Sequence, residues 1–481
     1  MAAATSPAAA QCPDGSAPPC TRERKAPQPS VAILYFETPQ GDTTLAYLAD
    51  GLTESLIDQL SQAGVSVASR YQVRRYAHQA TTDPASLGRA LNVSTLVTGT
   101  LRGLGASLRV SIEMISAASG ARLWGQQFER TSDDLLHLQV AIASAVADSI
   151  AGRLQPAQRK ALGTAPTTLP AAYDHYLRGR YYLARRTGPA VGRAVQELAE
   201  ASRLDPRSAR LRAELGVAYS VYAAFGRSQD SLLQLAAAAA DAALRLDSLS
   251  ATAWLVRAST FYLSQTAERS RDLSRAAGAA QRSLSLDSLD PEAWHVYGEI
   301  LMDAGADDAA DSAYRRALAL DPGRAVTLER LARLDQYRHR FEEALLLLDS
   351  ALAVEPGFNE YGVQYRRFHV LLRLGRLADA RQALEYAGVF ATWLRPFVLL
   401  AANDSAAALA AADSIPEPSM PAVVAIAALG QTDRAMTMLE AVASPTLSTY
   451  KYLRLPEMDP LRGDPRFQRL VAASQPVGFV R

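Results

Sequence analysis

Residues 291–356 state one pattern twice at a fixed interval. Trp294, Gly298, Ala310, Tyr314, Ala317 and Pro322 make one set. Leu328, Ala332, Ala344, Leu348, Ala351 and Pro356 stand on the same template 34 residues later, with Leu331 beside them. Each copy predicts two helices, here 292–303 and 308–320, parted by a break at 304–307 and closed by Asp321-Pro322. The proline has no backbone N–H and disfavours helix in the residue before it, so each copy is punctuated where the next must turn back. A hairpin of this kind cannot bury its apolar stripe alone. Stacked copies can, by sharing a continuous core.

Paired helices at this period, with small residues at the crossing and a closing proline, resemble the tetratricopeptide repeat. The template extends in both directions. One copy runs from Tyr173 through Gly179 and Tyr182 to Ala194, Leu198, Ala201 and Pro206; the next carries Leu215, Gly216, Tyr219, Ala236, Ala240 and Ala243. A third carries Trp254, Phe261, Ala276 and Ala280, and both of these last copies hold about six extra residues between their helices. Leu371, Ala380, Leu384 and Ala387 make a sixth copy, and Leu429, Ala435, Leu439 and Val442 a degenerate seventh. The expected array covers 171–442 with six to seven repeats, followed by a cap over 443–481, since terminal repeats meet water on one side.

Ahead of the array, 31–154 predicts a compact α+β unit. Val31-Ala-Ile-Leu-Tyr-Phe36 is a buried strand. A helix over 45–62 puts Leu48, Leu52, Leu56, Ile57 and Leu60 on one face, and a short strand follows at 65–69. Asp83-Pro84 caps and opens a helix to Leu91. Strands at 95–102, 108–116 and 122–130 come next, the last two a hairpin turning at 117–120, and a helix over 133–153 closes the order βαβαβββα. Val31–Phe36, Leu48-Ala-Asp-Gly-Leu-Thr-Glu54, Val97-Thr-Gly-Thr100 and Gly120-Ala-Arg-Leu-Trp124 resemble the TolB amino-terminal-like (FlgO-like) module. That resemblance implies a fold more than an activity; such modules often precede tetratricopeptide repeats, sometimes following a kinase, a cyclase or a winged-helix regulator. Asp50 reads as the cap of a helix starting near Gly51, and Arg70, Arg74 and Arg75 as a solvated basic face. Residues 155–170, with Pro156, Gly163, Pro166 and Pro170, mark a linker.

The first 30 residues read as an extended leader rich in Ala, Pro and Ser, in which Ala8-Ala9-Ala10 is similar to the end of a secretory signal. Cys12 and Cys20, the two cysteines of the 481-residue chain, enclose a turn-rich loop that suits a disulfide in an oxidising compartment; two free thiols are the alternative. Together these features favour an exported, periplasmic chain over a cytoplasmic one. Lys plus Arg number 50 against 49 Asp plus Glu, a balance that argues against nucleic acid and anionic membranes as partners. No run approaches the roughly 18 apolar residues of a spanning helix.

No phosphate loop, zinc-binding helix motif, nucleophile elbow or kinase signature occurs, and the six histidines are scattered, so no catalytic residue, cofactor site or metal site is expected. By resemblance, the first helices of successive repeats line a concave groove. Its candidate floor is Glu292, His295, Glu299 and Asp303 in one copy and Glu329, Arg333 and Tyr337 in the next, with Met302, Val326 and Gln336 among them. The lysines and asparagines of a carboxylate clamp are absent there. An acidic floor of this kind, with His295, Arg333 and Tyr337, suggests a peptide or protein partner with some positive charge; the alternative is that these are ordinary solvated helix residues. With no catalytic motif in the chain, the leading reading is a non-catalytic scaffold in an envelope-associated or signalling assembly. The alternative is the detached regulatory part of a kinase or cyclase system whose first domain binds a small ligand.

Overall fold

The structure is a computed structural model, and it describes residues 31–39, 45–68, 70–74, 76–77, 83–104, 107–131, 134–151, 165–185, 187–223, 229–263, 273–355, 360–416, 419–444 and 446–476. The leader with Cys12 and Cys20, Arg75, and most of the two insertions lie outside the described residues.

The amino-terminal unit is a four-stranded sheet in the order β1-β2-β3-β4. Strand β1 (Val31–Ile33) runs parallel to β2 (Thr95–Leu104), which pairs antiparallel with β3 (Ser107–Ser116), and β3 with β4 (Arg122–Thr131). Successive side chains of a strand point to opposite faces, and each face here has its own cover. Val31, Ile33, Val97, Val110 and Ile112 pack under α1 (Ala46–Gln62) and α4 (Leu135–Ala151). Ala32 and Leu96 pack under α2 (Arg70–Arg74) and α3 (Pro84–Leu91). Leu52, Leu56 and Leu60 of α1 are buried, each stabilising the unit by about 1.5–3 kcal/mol. Helix α3 starts as the sequence dictates: the Asp83 carboxylate accepts from Ser86 N at 3.0 Å, with Pro84 in the first turn.

Two expectations need correction. The strand at 65–69 is a single rung, Val31↔Val67, because the chain leaves the sheet edge after Ala68 to begin α2. Asp50 does not cap α1, which begins at Ala46 and carries Asp50 inside it. Further along α1, Thr53 Oγ1 donates to Ala49 O at 2.8 Å and accepts from Phe36 N at 3.1 Å, tying the helix to the end of the first strand segment.

The array contains eight helical hairpins among the described residues: α5/α6 (Pro170–Ala184, Gly188–Leu204), α7/α8 (Ala209–Ala223, Gln229–Leu246), α9/α10 (Ala251–Leu263, Ser274–Leu286), α11/α12 (Pro291–Asp303, Asp307–Leu320), α13/α14 (Ala325–Tyr337, Phe341–Val354), α15/α16 (Glu360–Arg373, Leu377–Glu385), α17/α18 (Ala391–Ala401, Ser405–Asp413) and α19/α20 (Met420–Ala428, Thr432–Val442). Small residues sit where paired helices cross. A Cβ at Gly298 would lie 2.7 Å from the Tyr314 ring, and one at Gly179 2.5 Å from Leu198 Cγ. Such gaps admit glycine alone, so the first helix can approach the bulky residue of the second.

In hairpins four to eight, a left-handed residue ends the first helix: Gly305, His339, Gly375, Asn403 and Gly430. The next N–H then reaches back five residues, as in Ala306 N to Leu301 O at 2.9 Å and Asp404 N to Leu399 O at 3.0 Å. This closure satisfies carbonyls that the helix end would leave unpaired. It also exposes the hairpin that a 34-residue template passes over. From Gly375 to Asn403 to Gly430 the steps are 28 and 27 residues, because α17 and α18 span only 11 and 9. The Asn403-Asp404 pair, the second residue capping Ala407 N, was the sequence signal for it.

The first hairpin packs directly on the amino-terminal unit; most of the expected linker at 155–170 lies outside the described residues. Tyr173, Tyr176 and Leu177 of α5 belong to the same buried cluster as Ile33, Leu52 and Ile142. A Cβ on Gly51 would stand 3.2 Å from Leu177 Cβ, and Tyr47 OH donates to Asp174 at 2.7 Å. Beyond α20 the chain adds α21 (Leu447–Leu453), a 3₁₀ turn (Pro456–Leu461) and α22 (Pro465–Ser474), which fold back onto earlier hairpins.

Candidate protein-binding face

Helices α9, α11, α13 and α15 lie side by side as the first helices of hairpins three to six, and α11 and α13 bring the candidate floor residues together. The structure joins them in a ladder of ion pairs between neighbouring hairpins. Arg324 pairs with Glu292, Arg330 Nε with Glu299 at 2.7 Å and Arg330 also with Glu329 at 2.6 Å, while Arg366 closes on the other Glu329 oxygen. His295 Nδ1 lies 3.0 Å from Thr327 Oγ1, and Arg333 Nε donates to Tyr337 OH at 2.8 Å.

The expected open acidic floor is therefore largely closed. His295, Asp303 and Glu329 are buried at 4 %, 1 % and 1 % exposure, and Met302 and Gln336 are buried as well. Arg324, Arg330 and Arg366 supply the missing counter-charge, and sequence reasoning passed over them. Their signal was the near-repeat spacing of acid and base: Glu292 to Arg324, Glu299 to Arg330 and Glu329 to Arg366 lie 32, 31 and 37 residues apart. Arg70 and Arg74 are half-buried rather than fully solvated, and Arg74 donates to the Ala184 carbonyl. Both line a cavity of about 850 Å³ between the amino-terminal unit and the array, whose lining also includes Arg180, Arg210, Asp290 and Arg324.

The other edge of the face, at the carboxy-terminal ends of the first helices, is covered by the chain itself. Lys451 Nζ lies 2.5 Å from Asp303, which also accepts from Tyr262 OH at 2.6 Å. Arg454 reaches both Asp307 oxygens at 2.5 and 2.7 Å and donates to Met302 O at 2.6 Å, its guanidinium 4.2 Å from the Tyr337 ring centre. Glu457 pairs with His369 at 3.3 Å, and Arg373 holds Asp459 and the Pro456 carbonyl.

Burial and charge set the protonation of this face. Burial pushes His295 down to about 4 although Glu299 opposes it. Burial alone would raise Glu329, but Arg330 and Arg366 outweigh it and hold the carboxyl at about 2. A histidine kept neutral in the fold destabilises the folded state as pH falls through its unfolded value near 6.5 and on toward 4, because the unfolded chain takes up the proton first. Asp290, pushed up to about 6 by burial and by Glu292, acts with the opposite sign across much of that range. The difference between wild type and His295→Gln isolates the first effect. The variant should lose less stability between pH 7 and pH 4, by about 3 kcal/mol, read from urea midpoints at the two pH values.

The fold and face define a class: a helical-hairpin array of the kind that generally serves as a protein-interaction scaffold, fused to a small mixed sheet. Residues 291–334, which span hairpin four and the first part of hairpin five, match the tetratricopeptide repeat family. A protein of Rhizobium meliloti (strain 1021), provisionally named adenylate cyclase 3, is 26 % identical over 191 residues, covering 40 % of this chain. The chain spans about a third of that curated relative's length, the matched part being 32 %. Among solved structures, a thermophilic tetratricopeptide repeat protein of Thermus thermophilus is 16 % identical, covering 42 % of this chain and 100 % of its own, with a TM-score of 0.36. A tetratricopeptide repeat protein of Parabacteroides merdae is 13 % identical, covering 63 % of this chain and 98 % of its own, with a TM-score of 0.32. No helix among the described residues is long and apolar enough to cross a membrane.

Proposed function

We propose that this chain is a non-catalytic scaffold that holds a protein or peptide partner on the concave side of its array, in a bacterial envelope-associated or signalling assembly. One observation supports this reading above the rest. The carboxy-terminal edge of hairpins three to six already holds a helical segment by side-chain-specific contacts, Lys451 on Asp303 and Arg454 on Asp307. A face that recognises a helix of its own chain has the chemistry to recognise one from another. The test is affinity capture from native cells with wild type and with Asp303→Lys/Asp307→Lys, read by quantitative mass spectrometry. The expected result is a partner whose recovery falls at least tenfold with the variant; recovery equal for both would remove the face from the account.

The match to a protein named as a cyclase favours a second reading, the regulatory part of a nucleotide-signalling system with its ligand in the cavity beside Arg74 and Arg210. A nucleotide that raises the melting temperature of the full chain, but not of Arg74→Gln/Arg210→Gln, would select this reading over the first.

A further inference from the structure

The C-terminal segment has two unlike sides. Leu453, Met458, Leu461 and Phe467 are buried against α19 and α20, in one cluster with Val423, Met436 and Leu439. Toward hairpins three to six it presents mainly polar groups, Lys451, Arg454, Glu457 and Asp459, with Leu447 and Tyr450 as its apolar anchors. The core it shares with α19 and α20 would therefore survive parting from hairpins three to six, and the seam that would open consists mostly of ion pairs. Arg454–Asp307 and Arg373–Asp459 are partly solvated, while Asp303 and the His369–Glu457 pair are buried. When the seam opens, both partners of each pair regain hydration, which offsets much of the attraction lost.

The array side of the seam is specific. The carbonyl of Met302 and the carboxylate of Asp303 stand at the end of α11, where a helix concentrates partial negative charge and favours cations. Tyr262 and Tyr337 flank them as ring faces, 5.4 Å from Lys451 Nζ and 4.2 Å from the Arg454 guanidinium. The Tyr450 hydroxyl lies against Gly305, where a Cβ would come within 2.7 Å of it. These contacts read one helical turn carrying an aromatic residue, then lysine, then arginine three positions on.

We propose that residues 447–461 are a tethered occupant of this face, and that the partner is a protein helix carrying the same aromatic-Lys-x-x-Arg turn, which docks by displacing them. This deepens the scaffold reading and rests on it.

The test uses the full chain with Lys451→Glu and Arg454→Glu, and a fluorescent synthetic peptide of residues 446–462 followed by anisotropy. The released variant should bind the peptide at least tenfold more tightly than wild type, and adding Asp303→Lys and Asp307→Lys should abolish that binding. Hydrogen exchange should speed up at 447–455 while α19 and α20 stay protected. A folded released variant that binds no better than wild type overturns the proposal. So does loss of protection in α19 and α20 together with the segment, or unfolding of the array in this variant and in the milder Lys451→Gln/Arg454→Gln, since the segment is then a structural cap. If the peptide fails while native partners are still captured through Asp303 and Asp307, the tethering falls and the scaffold reading stands.

Discussion

Replacing Arg180 with alanine should cost about 3–5 kcal/mol, because it leaves buried carboxylates without their counter-charge. The side chain rises from α5, 8 % exposed, and meets three acids: Asp58 at 2.7 Å, Glu214 at 3.4 Å and Glu54 at 3.6 Å. Glu54 also accepts from Tyr35 OH at 3.1 Å, so the cluster reaches the strand segment of the amino-terminal unit. Arg210 lies close enough to Asp58 and Glu214 to retain part of the neutralisation, which places the loss toward the lower end of that range. Two acids of the cluster come from α1 and one from α7, so the variant should also uncouple the amino-terminal unit from the array. Calorimetry should then resolve two transitions where wild type gives one. A loss below about 1 kcal/mol with a single transition would show that the shared apolar core alone joins the parts.

Tyr314→Ala should cost about 3–5 kcal/mol, the cost of emptying a large buried site that its surroundings cannot refill. Tyr314 is fully buried among Leu301, Met302, Ala310, Leu331 and Leu334, and its ring fills the gap left by Gly298. Among the described residues its hydroxyl reaches only the Met302 sulfur, at 3.9 Å. Tyr314→Phe should therefore stay within about 1 kcal/mol of wild type, a weak contact being all that is lost. Denaturant midpoints of the two variants decide the matter, and a phenylalanine variant as damaged as the alanine one would shift the role from ring to hydroxyl. Stability in a stacked array is carried largely by neighbouring interfaces, so the alanine variant should also broaden the transition by melting hairpins four and five early.

Much of the fold was legible because its causes are local. The crossing of Gly298 with Tyr314 recurs as Ala332 with Leu348, and the Asp83-Pro84 start of α3 is a short-range capping signal. The hairpin at 391–413 was not legible by the 34-residue template, since its helices are short and Pro396 lies within the first. The single-rung contact at Val67 was read as a strand because its composition suits one, whereas pairing depends on where the chain goes next.

The floor residues, assigned by resemblance, fall on the neighbouring helices α11 and α13, yet the repeat says nothing of what lies over them. Lys451 and Arg454 stand about 150 residues from Asp303 and Met302 in the chain, and Arg180 stands 126 and 122 residues from Glu54 and Asp58. The first of these meetings depends on the small rotation added by each hairpin and summed over the array, the second on how α5 docks against α1. The sequence by itself determined the repeating hairpin, its small-residue crossings and the mixed sheet that precedes it, because each follows from residues within one repeat or one strand pair. Only the tertiary structure decided that the amino-terminal unit shares its core with the first hairpin, and that the acids of the first helices are paired with arginines and covered at one edge by the chain's own C-terminal segment. Those contacts are set by accumulated geometry and by charge brought together across distant turns, which no local pattern encodes.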